Sequence, residues 1–381
     1  MKSSRIMKKE IVLIGTYPPP YGGVSIHIQR LKEQLEIRGM KCIVYDTSGV
    51  PKSAKDIFSS TILSSLLRII CSRGKDIIHV HGYDPRQVIL FSLVGVLTRR
   101  VVIFTIHSFR YNKDNIGLLG KFSLWMAQKT GQHFITVGLE LNEKIMDFGI
   151  KQANIKTLIS FIPPVVREND FSEIPKEAGE FIRGHSPVIS ANAYKISFYN
   201  NQDLYGIDMC VDLCVNLKKS HPRIGMIFCL PNIGDYDYFK KIQKRIAEKG
   251  IEDNFFFQTK PCQFYPILME SDAFVRPTNT DTYGVSIAES LYFKVPAIAS
   301  DVCLRPEGAI LFRSRDIRDF STKMKELLDN LAEHRDRLAN IVQKDDVEKI
   351  IDFYDQLLVS KKWDRNKPRN SAGNDTIGCV D

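Results

Sequence analysis

Two carboxylates stand eight positions apart in the segment DTYGVSIAESLYFKVPAIASD, residues 281–301. Asp281 lies in a glycine-bearing turn, and Glu289 lies one turn into a helix predicted from about Val285 to Tyr292. The N-terminus of such a helix offers free N–H groups and a partial positive charge, which suit a diphosphate. Asp281 would project beside that anion, and Glu289 could accept hydrogen bonds from a ribose diol. Taken alone, the segment is explained somewhat better by a surface carboxylate and an Asx-type turn.

A second candidate anion site lies in the loop GTYPPPYGGVS, residues 15–25, which follows the strand-like run EIVLIG. Gly22 and Gly23 permit close backbone approach, and the helix predicted over residues 24–39 would aim its first N–H groups at an anion. A glycine turn between a strand and a helix explains this loop equally well when it is considered alone. The chain has no GxGxxG motif, which removes the best support for a dinucleotide-dependent dehydrogenase.

Both loops need strands that end beside them, and the sequence provides two series of such strands. Short β-branched runs such as KCIVYD, DIIHVHG and VVIFTIHS alternate with segments of helical spacing, and the alternation resumes after residue 187. This order predicts parallel sheets covered by helices on both faces, with ligands bound beyond the carboxyl ends of the strands. Residues 163–187 are enriched in proline, charge and glycine, which is typical of a linker. We therefore expect an α/β protein of two doubly wound, Rossmann-like domains that face each other across a cleft.

The composition is that of a globular protein: 381 residues, 44% hydrophobic and 25% charged, enough for two cores. The net charge of +9 favours a polyanionic partner such as nucleic acid, anionic lipid or a phosphorylated substrate. Nucleic acid is disfavoured because no basic stripe interleaved with aromatic residues is visible in the sequence. Eight scattered cysteines without a CxxC pair are typical of buried thiols in a reducing cytosol. No apolar h-region follows the basic N-terminus, so we expect a cytoplasmic protein without a signal peptide.

Several further patterns have an ordinary structural explanation beside a functional one. DYD at residues 235–237 has the form of a metal-binding DxD, but it opens a predicted helix, where an aspartate cap is expected. His79 and His81 alternate along a strand, and two metal ligands without a third favour a structural or cleft-lining role. Residues 52–75 have apolar residues at helical spacing between basic ends, which fits either an anionic membrane surface or a helix packed on the core. The longest apolar stretch is interrupted by two arginines, so no membrane-spanning helix is predicted.

The segment TNTDTYGVSIAESLYFKVPAIASD resembles the acidic-x7-acidic signature of family 4 retaining glycosyltransferases, which have the GT-B fold. The loop PPPYGG, the runs DIIHVHG, TIHS and FIPPVV, and MESDAFVRPTNTD agree with that family in order, so the resemblance covers roughly residues 10–345. Among family members, the chain looks most similar to bacterial transferases of surface-polysaccharide synthesis. The resemblance implies transfer of a hexose from a nucleoside-diphosphate sugar to a glycan acceptor, with retention of configuration and without a metal or other cofactor.

The resemblance also implies a role for each residue that matches the family motifs. Asp281 would touch the transferred sugar, and His107, in TIHS, would lie near the reacting carbon, so these two are the expected catalytic residues. No residue is expected to bind a metal. The expected donor-binding positions, which serve the ribose, the diphosphate and the sugar, are Gly22, Gly23, Tyr283, Gly284, Val285 and Glu289.

Two departures from the family pattern affect the donor site. Asp281 stands where glutamate is usual and is one methylene shorter, which can shift the choice of sugar. The Arg and Lys that bind the diphosphate in the family are missing after the first strand of the second domain, and Tyr205 precedes Gly206 where Lys is usual. A departing diphosphate needs cations and N–H dipoles more than it needs an acid. The candidates for the missing positive charge are Lys195, Arg276 and Arg305.

The resulting prediction is a peripheral bacterial enzyme on the inner face of the cell membrane, acting in O-antigen (lipopolysaccharide) or capsule synthesis. Its expected partners are a nucleoside-diphosphate sugar, a polyprenyl-diphosphate-linked oligosaccharide acceptor and an anionic membrane surface. Two alternatives stay open: a GT-B sugar-nucleotide epimerase, which needs no acceptor, and a non-catalytic sugar-nucleotide-binding subunit, which the missing Lys and Arg would explain. The predicted boundaries are an N-terminal acceptor-side domain at 1–165, a linker at 166–187, a nucleotide-sugar-binding domain at 188–345, a C-terminal helix at 346–362 that returns to the N-terminal domain, and a disordered tail at 363–381.

Overall fold

The computed structural model describes residues 10–72, 74–109, 111–112, 114–158, 161–341 and 345–366. Within them, two separate parallel sheets with helices on both faces form two Rossmann-like domains. The prediction of two α/β domains from the alternation of strands and helices is therefore confirmed.

The N-terminal domain is built on seven strands: β1 (Glu10–Gly15), β2 (Lys41–Asp46), β3 (Ile57–Ser59), β4 (Lys75–His81), β5 (Val101–Ile106), β6 (His133–Thr136) and β7 (Ile155–Thr157). All neighbouring strands are parallel, and their order is β3-β2-β1-β4-β5-β6-β7. The direction of winding reverses between β1 and β4, so the loops that follow these two strands diverge and leave a crevice at the carboxyl edge.

Helices cover both faces of this sheet. They are α1 (Gly23–Ile37), α2 (Ile62–Cys71), α3 (Pro85–Thr98), α4 (Gly117–Lys129) and α5 (Leu139–Met146). The apolar sides of α2 to α5 share one core with the sheet, and α1 packs in a second core on the opposite face. The N-terminus of α1 therefore begins directly at the crevice between β1 and β4.

The C-terminal sheet consists of six strands: β8 (Val188–Asn192), β11 (Gly225–Cys229), β12 (Phe255–Gln258), β13 (Ala273–Arg276), β14 (Ala297–Ser300) and β15 (Ile310–Phe312). They are parallel in the order β12-β11-β8-β13-β14-β15, and the winding reverses between β8 and β13. Two short strands, β9 (Phe198–Tyr199) and β10 (Gln202–Asp203), form an antiparallel hairpin after β8. The loop that follows β13 contains Asp281, so this carboxylate lies at the second crevice.

The helices of the C-terminal half are α6 (Glu168–Ser172), α7 (Lys176–Gly184), α8 (Ile207–Lys218), α9 (Tyr236–Glu248), α10 (Phe264–Met269), α11 (Val285–Tyr292), α12 (Ile317–Asp329) and α13 (Leu331–Ala339). Asp235 caps α9 by accepting a hydrogen bond from the backbone N–H of Tyr238 at 2.9 Å. The prediction that DYD is a helix cap is thereby confirmed.

The segment predicted as a linker, 166–187, contains α6 and α7. Ala178 and Ile182, one helical turn apart on α7, are buried against Val188 and Ile227 of the C-terminal sheet. Because this apolar pair gives α7 a buried side, the helix packs as part of the C-terminal domain.

The last helix, α14 (Val347–Asn366), crosses back to the N-terminal domain. Its buried residues Phe353 and Tyr354 share a core with α1 and the N-terminal sheet. The helix extends past the predicted start of the disordered tail at residue 363, and residues 367–381 of that tail lie outside the described residues. None of the described helices has the length and apolar character needed to cross a bilayer.

Candidate functional site

A cavity of about 660 Å³ lies between the two domains. The N-terminal domain contributes the glycine loop, the first two turns of α1 and the loop after β5; the C-terminal domain contributes the ends of β8 and β13 and the start of α11. Both crevices at the carboxyl edges therefore open into one space, where ligands bind in folds of this kind. The predicted site residues that line it are Gly22, Gly23, His107, Arg276, Asp281, Tyr283, Gly284, Val285 and Glu289.

The start of α11 is fixed by Gly284. This residue has φ +85°, and a Cβ added there would lie 2.9 Å from Nη1 of Arg305 and 2.6 Å from Cδ1 of Ile287. Glycine is favoured at this position, because the positive φ strains any other residue and a Cβ would displace the ends of the Ile287 and Arg305 side chains. The first N–H groups of α11 lack intrahelical acceptors, so this end of the helix can bind an anion from the cavity.

Ser286, in the first turn of α11, is a site residue that the sequence analysis missed. It lines the cavity, and its Oγ is buried without a hydrogen-bond partner among the described residues. Buried hydroxyls are normally hydrogen-bonded, so this oxygen is suited to a ligand. The signal in the sequence was its position two residues after the glycine that starts α11.

Asp281 is held by two arginines. Its Oδ2 accepts hydrogen bonds from Nε of Arg276 at 2.7 Å and from Nη1 of Arg305 at 2.8 Å, and its Oδ1 accepts from the backbone N–H of Thr282 at 3.0 Å. Burial alone would raise the pKa of Asp281, but the attraction and hydrogen bonds of the two arginines outweigh it and lower the pKa to about 2. Asp281 is therefore an anion at neutral pH and cannot serve as a proton donor.

The three candidates for the missing positive charge occupy different places. Arg276 lines the cavity, and its guanidinium lies over the ring of Tyr205. Arg305 contacts Asp281 but is not among the residues that line the cavity. Its side chain is 1% exposed and is fixed by hydrogen bonds to Ser300. Lys195 is exposed and is not among the residues that line the cavity. The two arginines and Asp281 together carry one net positive charge, which is placed beside the start of α11.

Glu289 forms an ion pair with Arg30 across the domain interface. Arg30 comes from α1, its Nη2 donates to Oε1 of Glu289, and both side chains are buried. The sequence analysis missed Arg30, although its spacing of three residues from His27 places both on one face of α1. The carboxylate predicted to meet a ribose thus also connects the two domains.

The N-terminal side of the cavity is lined by imidazoles. His107, at the end of β5, lies with its Nε2 3.3 Å from Nδ1 of His81, and a second nitrogen of His81, Nε2, is buried without a hydrogen-bond partner among the described residues. Desolvation by burial is the main cause that lowers the pKa of both histidines well below the usual value. Both are therefore neutral near pH 7, so His107 offers the cavity an uncharged hydrogen-bonding ring.

His79 has a structural role. It is fully buried, its Nδ1 lies 2.6 Å from the hydroxyl of Tyr354 on α14, and its Nε2 lies 2.5 Å from Oγ1 of Thr105. Burial lowers its pKa to about 3. The histidine thus anchors the returning helix α14 to the N-terminal sheet.

The group best able to hold a metal ion, within the part of the chain that the structure describes, is formed by His27, His81 and His107. One nitrogen from each lies within 4.8 Å of the other two. Zinc–nitrogen bonds of about 2.0–2.1 Å require ligand nitrogens roughly 3.4 Å apart in a tetrahedral site. The three rings would therefore have to move together before they could ligate a metal.

Contacts between the domains surround the cavity. A Cβ on Gly22 would lie 3.9 Å from the ring of Tyr194, so the glycine loop reaches the opposite domain. The loop itself is fixed by Ser25, whose Oγ accepts from the N–H of Gly22 at 2.8 Å.

Lys260 is a further lining residue that the sequence analysis missed. It donates to Oε1 of Glu177 at 2.8 Å.

Residues 191–345 match the family model described as glycosyl transferases group 1. An uncharacterised 41.2 kDa protein in the cps region of Klebsiella pneumoniae is 24% identical over 311 residues, which are 75% of this chain and 80% of that protein. The match over the C-terminal domain supports a glycosyltransferase.

Solved structures resemble the whole chain. A glycosyltransferase from Rickettsia africae has a TM-score of 0.65 at 16% identity over 95% of this chain and 100% of that one. HepE from Anabaena, in complex with UDP, has a TM-score of 0.60 at 13% identity over 92% and 100%. A UDP-N-acetylglucosamine 2-epimerase has a TM-score of 0.57 at 13% identity over 95% and 99%. The fold is therefore GT-B, as the sequence analysis predicted.

Proposed function

We propose that the protein is a retaining glycosyltransferase that moves a hexose from a nucleoside-diphosphate sugar to a glycan acceptor without a metal cofactor. The observation that carries this proposal is the arrangement around α11, where Asp281, Gly284 and Glu289 of one domain face His107 of the other across a single cavity. The family match over residues 191–345 supports the same class of enzyme.

The donor has a place for each of its parts. The diphosphate would lie against the start of α11 and Arg276, which supply N–H dipoles and positive charge. The ribose diol would donate to Glu289 and share this carboxylate with Arg30 or displace it. HepE, a structural neighbour, has been solved with UDP and with UDP-glucose, which supports a nucleotide sugar as the ligand class.

The charges of the site fit the bond that breaks. Cleavage of the sugar–diphosphate bond builds positive charge at the sugar carbon and negative charge on the departing diphosphate. The ionised Asp281 can accept a hydrogen bond from a sugar hydroxyl through Oδ1, because its Oδ2 is held by two arginines. Closure of the domains excludes water, which would otherwise compete with the acceptor.

The acceptor is proposed to be an oligosaccharide linked to a polyprenyl diphosphate at the cytoplasmic face of the cell membrane. It would enter from the side of the N-terminal domain, where His107 offers a neutral ring to the reacting centre. The relative in the cps region of Klebsiella pneumoniae supports a role in surface polysaccharide synthesis, either capsule or O-antigen.

The epimerase remains a second candidate, since an epimerase structure shares the fold. The test is to incubate the protein with a panel of nucleoside-diphosphate sugars, with and without a polyprenyl-diphosphate-linked acceptor, and to follow the anomeric proton by NMR. A product that requires the acceptor and keeps the donor's anomeric configuration supports the proposal. Conversion of the donor without an acceptor identifies an epimerase, and donor binding without any conversion identifies a binding subunit. Activity that is abolished by EDTA and restored by zinc would contradict metal independence.

A further inference from the structure

An extended apolar surface lies on the N-terminal domain, outside the cavity. Helices α2, α3 and α4 pack side by side on one face of the sheet. Their outward sides carry large apolar residues that are 46% to 87% exposed. We name these residues the outer apolar face; they are Leu63, Leu67, Ile70, Leu93, Val96, Leu97, Leu118, Leu119, Phe122 and Trp125.

Helices α3 and α4 are apolar on two opposite sides, and the apolar side of α2 extends beyond its buried residues to exposed ones. Leu66 of α2, Phe91 of α3 and Leu124 of α4 are buried against the sheet, while their neighbours along each helix form the outer apolar face. A helix that is apolar all round is normally covered on every side. Exposed apolar patches of this kind mark a surface that contacts a partner or a membrane.

The charge of the three helices selects between these partners. No aspartate or glutamate occurs in α2, α3 or α4, whereas Arg68, Lys121 and Lys129 are exposed on them. The exposed sides of α9 and α12 in the C-terminal domain carry both signs of charge. A two-fold contact between copies would bring this surface against itself, with cations and no carboxylates to pair them. An anionic bilayer offers both the apolar phase and the counter-charge.

The outer apolar face is also connected to the cavity. The ring of Tyr83 packs against Phe109, two residues after His107, at 4.9 Å between centroids. The hydroxyl of Tyr83 lies 3.1 Å from Oγ of Ser123 on α4. The first turns of α4 therefore lie on the side of the domain where His107 is found.

We propose that the outer apolar face of α2, α3 and α4 inserts into the interfacial region of an anionic bilayer. Phe122 and Trp125, whose rings stack at 5.7 Å, then lie at the level of the lipid headgroups, and the exposed cations contact lipid phosphates. The orientation sets the cleft beside the membrane, so that an acceptor anchored in lipid reaches His107. The last step rests on the proposed function, whereas membrane binding does not depend on it.

The test is flotation of the full-length protein with phosphatidylcholine vesicles that contain or lack phosphatidylglycerol, in the absence of donor and acceptor. The wild type should float with the anionic vesicles and less with the neutral ones. The triple variant Leu97→Gln, Leu118→Gln, Phe122→Gln should bind anionic vesicles about tenfold more weakly or worse, because each side chain loses its transfer into an apolar phase. The matched control is Tyr236→Gln, an exposed large residue on the C-terminal domain, which should bind like the wild type.

Two results would overturn this inference. The first is equal binding of the triple variant and the wild type to anionic vesicles while circular dichroism shows both folded. The second is a wild type that ignores vesicles but forms a dimer by light scattering, which the triple variant breaks; a second copy would then cover this surface. Calorimetry with nucleotide sugars, carried out without vesicles, tests the proposed function separately, so the two failures are distinguishable.

Discussion

The two walls of the cavity are built on the same kind of sheet edge but differ in their electrostatics. The C-terminal wall is ionised, since Asp281 is held between Arg276 and Arg305 with its pKa lowered to about 2. The N-terminal wall is neutral around His107, since burial lowers the pKa of His81 and His107 well below the usual value, and its lining cation Arg30 is paired with Glu289. A charged, fixed wall suits a diphosphate, whereas a neutral wall suits the hydroxyl groups of a sugar or an acceptor. The difference is consistent with the proposal that the donor binds the C-terminal domain and the acceptor binds the N-terminal domain.

One ion pair, Arg30 with Glu289, joins the two walls. Both residues are buried where the two domains meet, so each charge has lost water and is compensated by its partner from the other domain. A donor bound at Glu289, as proposed, would therefore use the carboxylate that also joins the two domains. The variants below test the C-terminal wall, the N-terminal wall and the Arg30–Glu289 pair one at a time.

The largest effect is expected for Asp281→Asn. The change leaves Arg276 and Arg305 without their carboxylate and removes the anion beside the sugar, so kcat/KM for transfer should fall by about 10²–10³-fold. The measurement is the initial rate with saturating acceptor. Asp208→Asn is the matched control, because it breaks an Asp–Arg pair with Arg315 outside the cavity. Equal losses in both variants would contradict a role of Asp281 in the reaction.

The neutral wall is tested by His107→Ala. Since His107 is assigned to the reacting centre and not to the nucleotide, kcat should fall by about 10²-fold while the donor dissociation constant stays unchanged. Stopped assays give kcat and calorimetry gives the dissociation constant. His334→Ala, on α13 away from the cavity lining, should keep both values. A parallel loss of donor affinity in His107→Ala would place the nucleotide against the N-terminal wall instead.

Glu289→Gln should weaken donor binding by roughly 1–3 kcal/mol, because the ribose exchanges a charged carboxylate for a neutral amide with a single accepting oxygen. The measurement is a calorimetric titration of the donor. Glu33→Gln is the control, since its ion pair with Arg167 involves the same helix, α1. An unchanged affinity in Glu289→Gln would remove Glu289 from the ribose role.

The smallest effects are expected from pH, because His79 and Asp281 both contribute less stability as the pH falls but do so over different pH ranges. His79, with its pKa lowered to about 3, takes up fewer protons when folded than when unfolded, so the free energy of unfolding should fall as the pH drops below about 6.5. The slope contributed by His79 is up to about 1.4 kcal/mol per pH unit. The contribution of Asp281 is present above about pH 3.8 and is lost only as the pH falls towards 2. Urea unfolding between about pH 7 and 4.5 checks this, and His79→Asn should flatten the slope; a slope unchanged in that variant would contradict it.

Local pattern in the sequence was sufficient for the parts of the site that a single element defines. Gly284 and the apolar spacing after it gave α11 its observed bounds, and the alternation of short runs gave two parallel sheets. The composition of 166–187 suggested a linker, but the spacing of Ala178 and Ile182 was the stronger signal, because it gives α7 a side to bury. Periodicity therefore proved more informative than composition.

The contacts between distant residues could not be read from the sequence. Arg30 and Glu289 are 259 positions apart, and their pairing depends on how two complete domains meet. Three candidates for the missing positive charge looked alike, yet Arg276 and Arg305 converge on Asp281 while Lys195 lies exposed outside the cavity lining. Whether a residue after β8 or at the end of β13 faces the cavity depends on how the surrounding loops pack, and no local sequence pattern encodes this packing.

The most direct test of the account is a calorimetric titration of nucleoside-diphosphate sugars against the wild type, Glu289→Gln and the double variant Arg30→Gln, Glu289→Gln. The account predicts that one donor binds the wild type, that Glu289→Gln weakens it, and that the double variant does not recover affinity, because the ribose still lacks the charged carboxylate. Full recovery in the double variant would contradict it, since Glu289 would then serve only to pair with Arg30 and hold the two domains together.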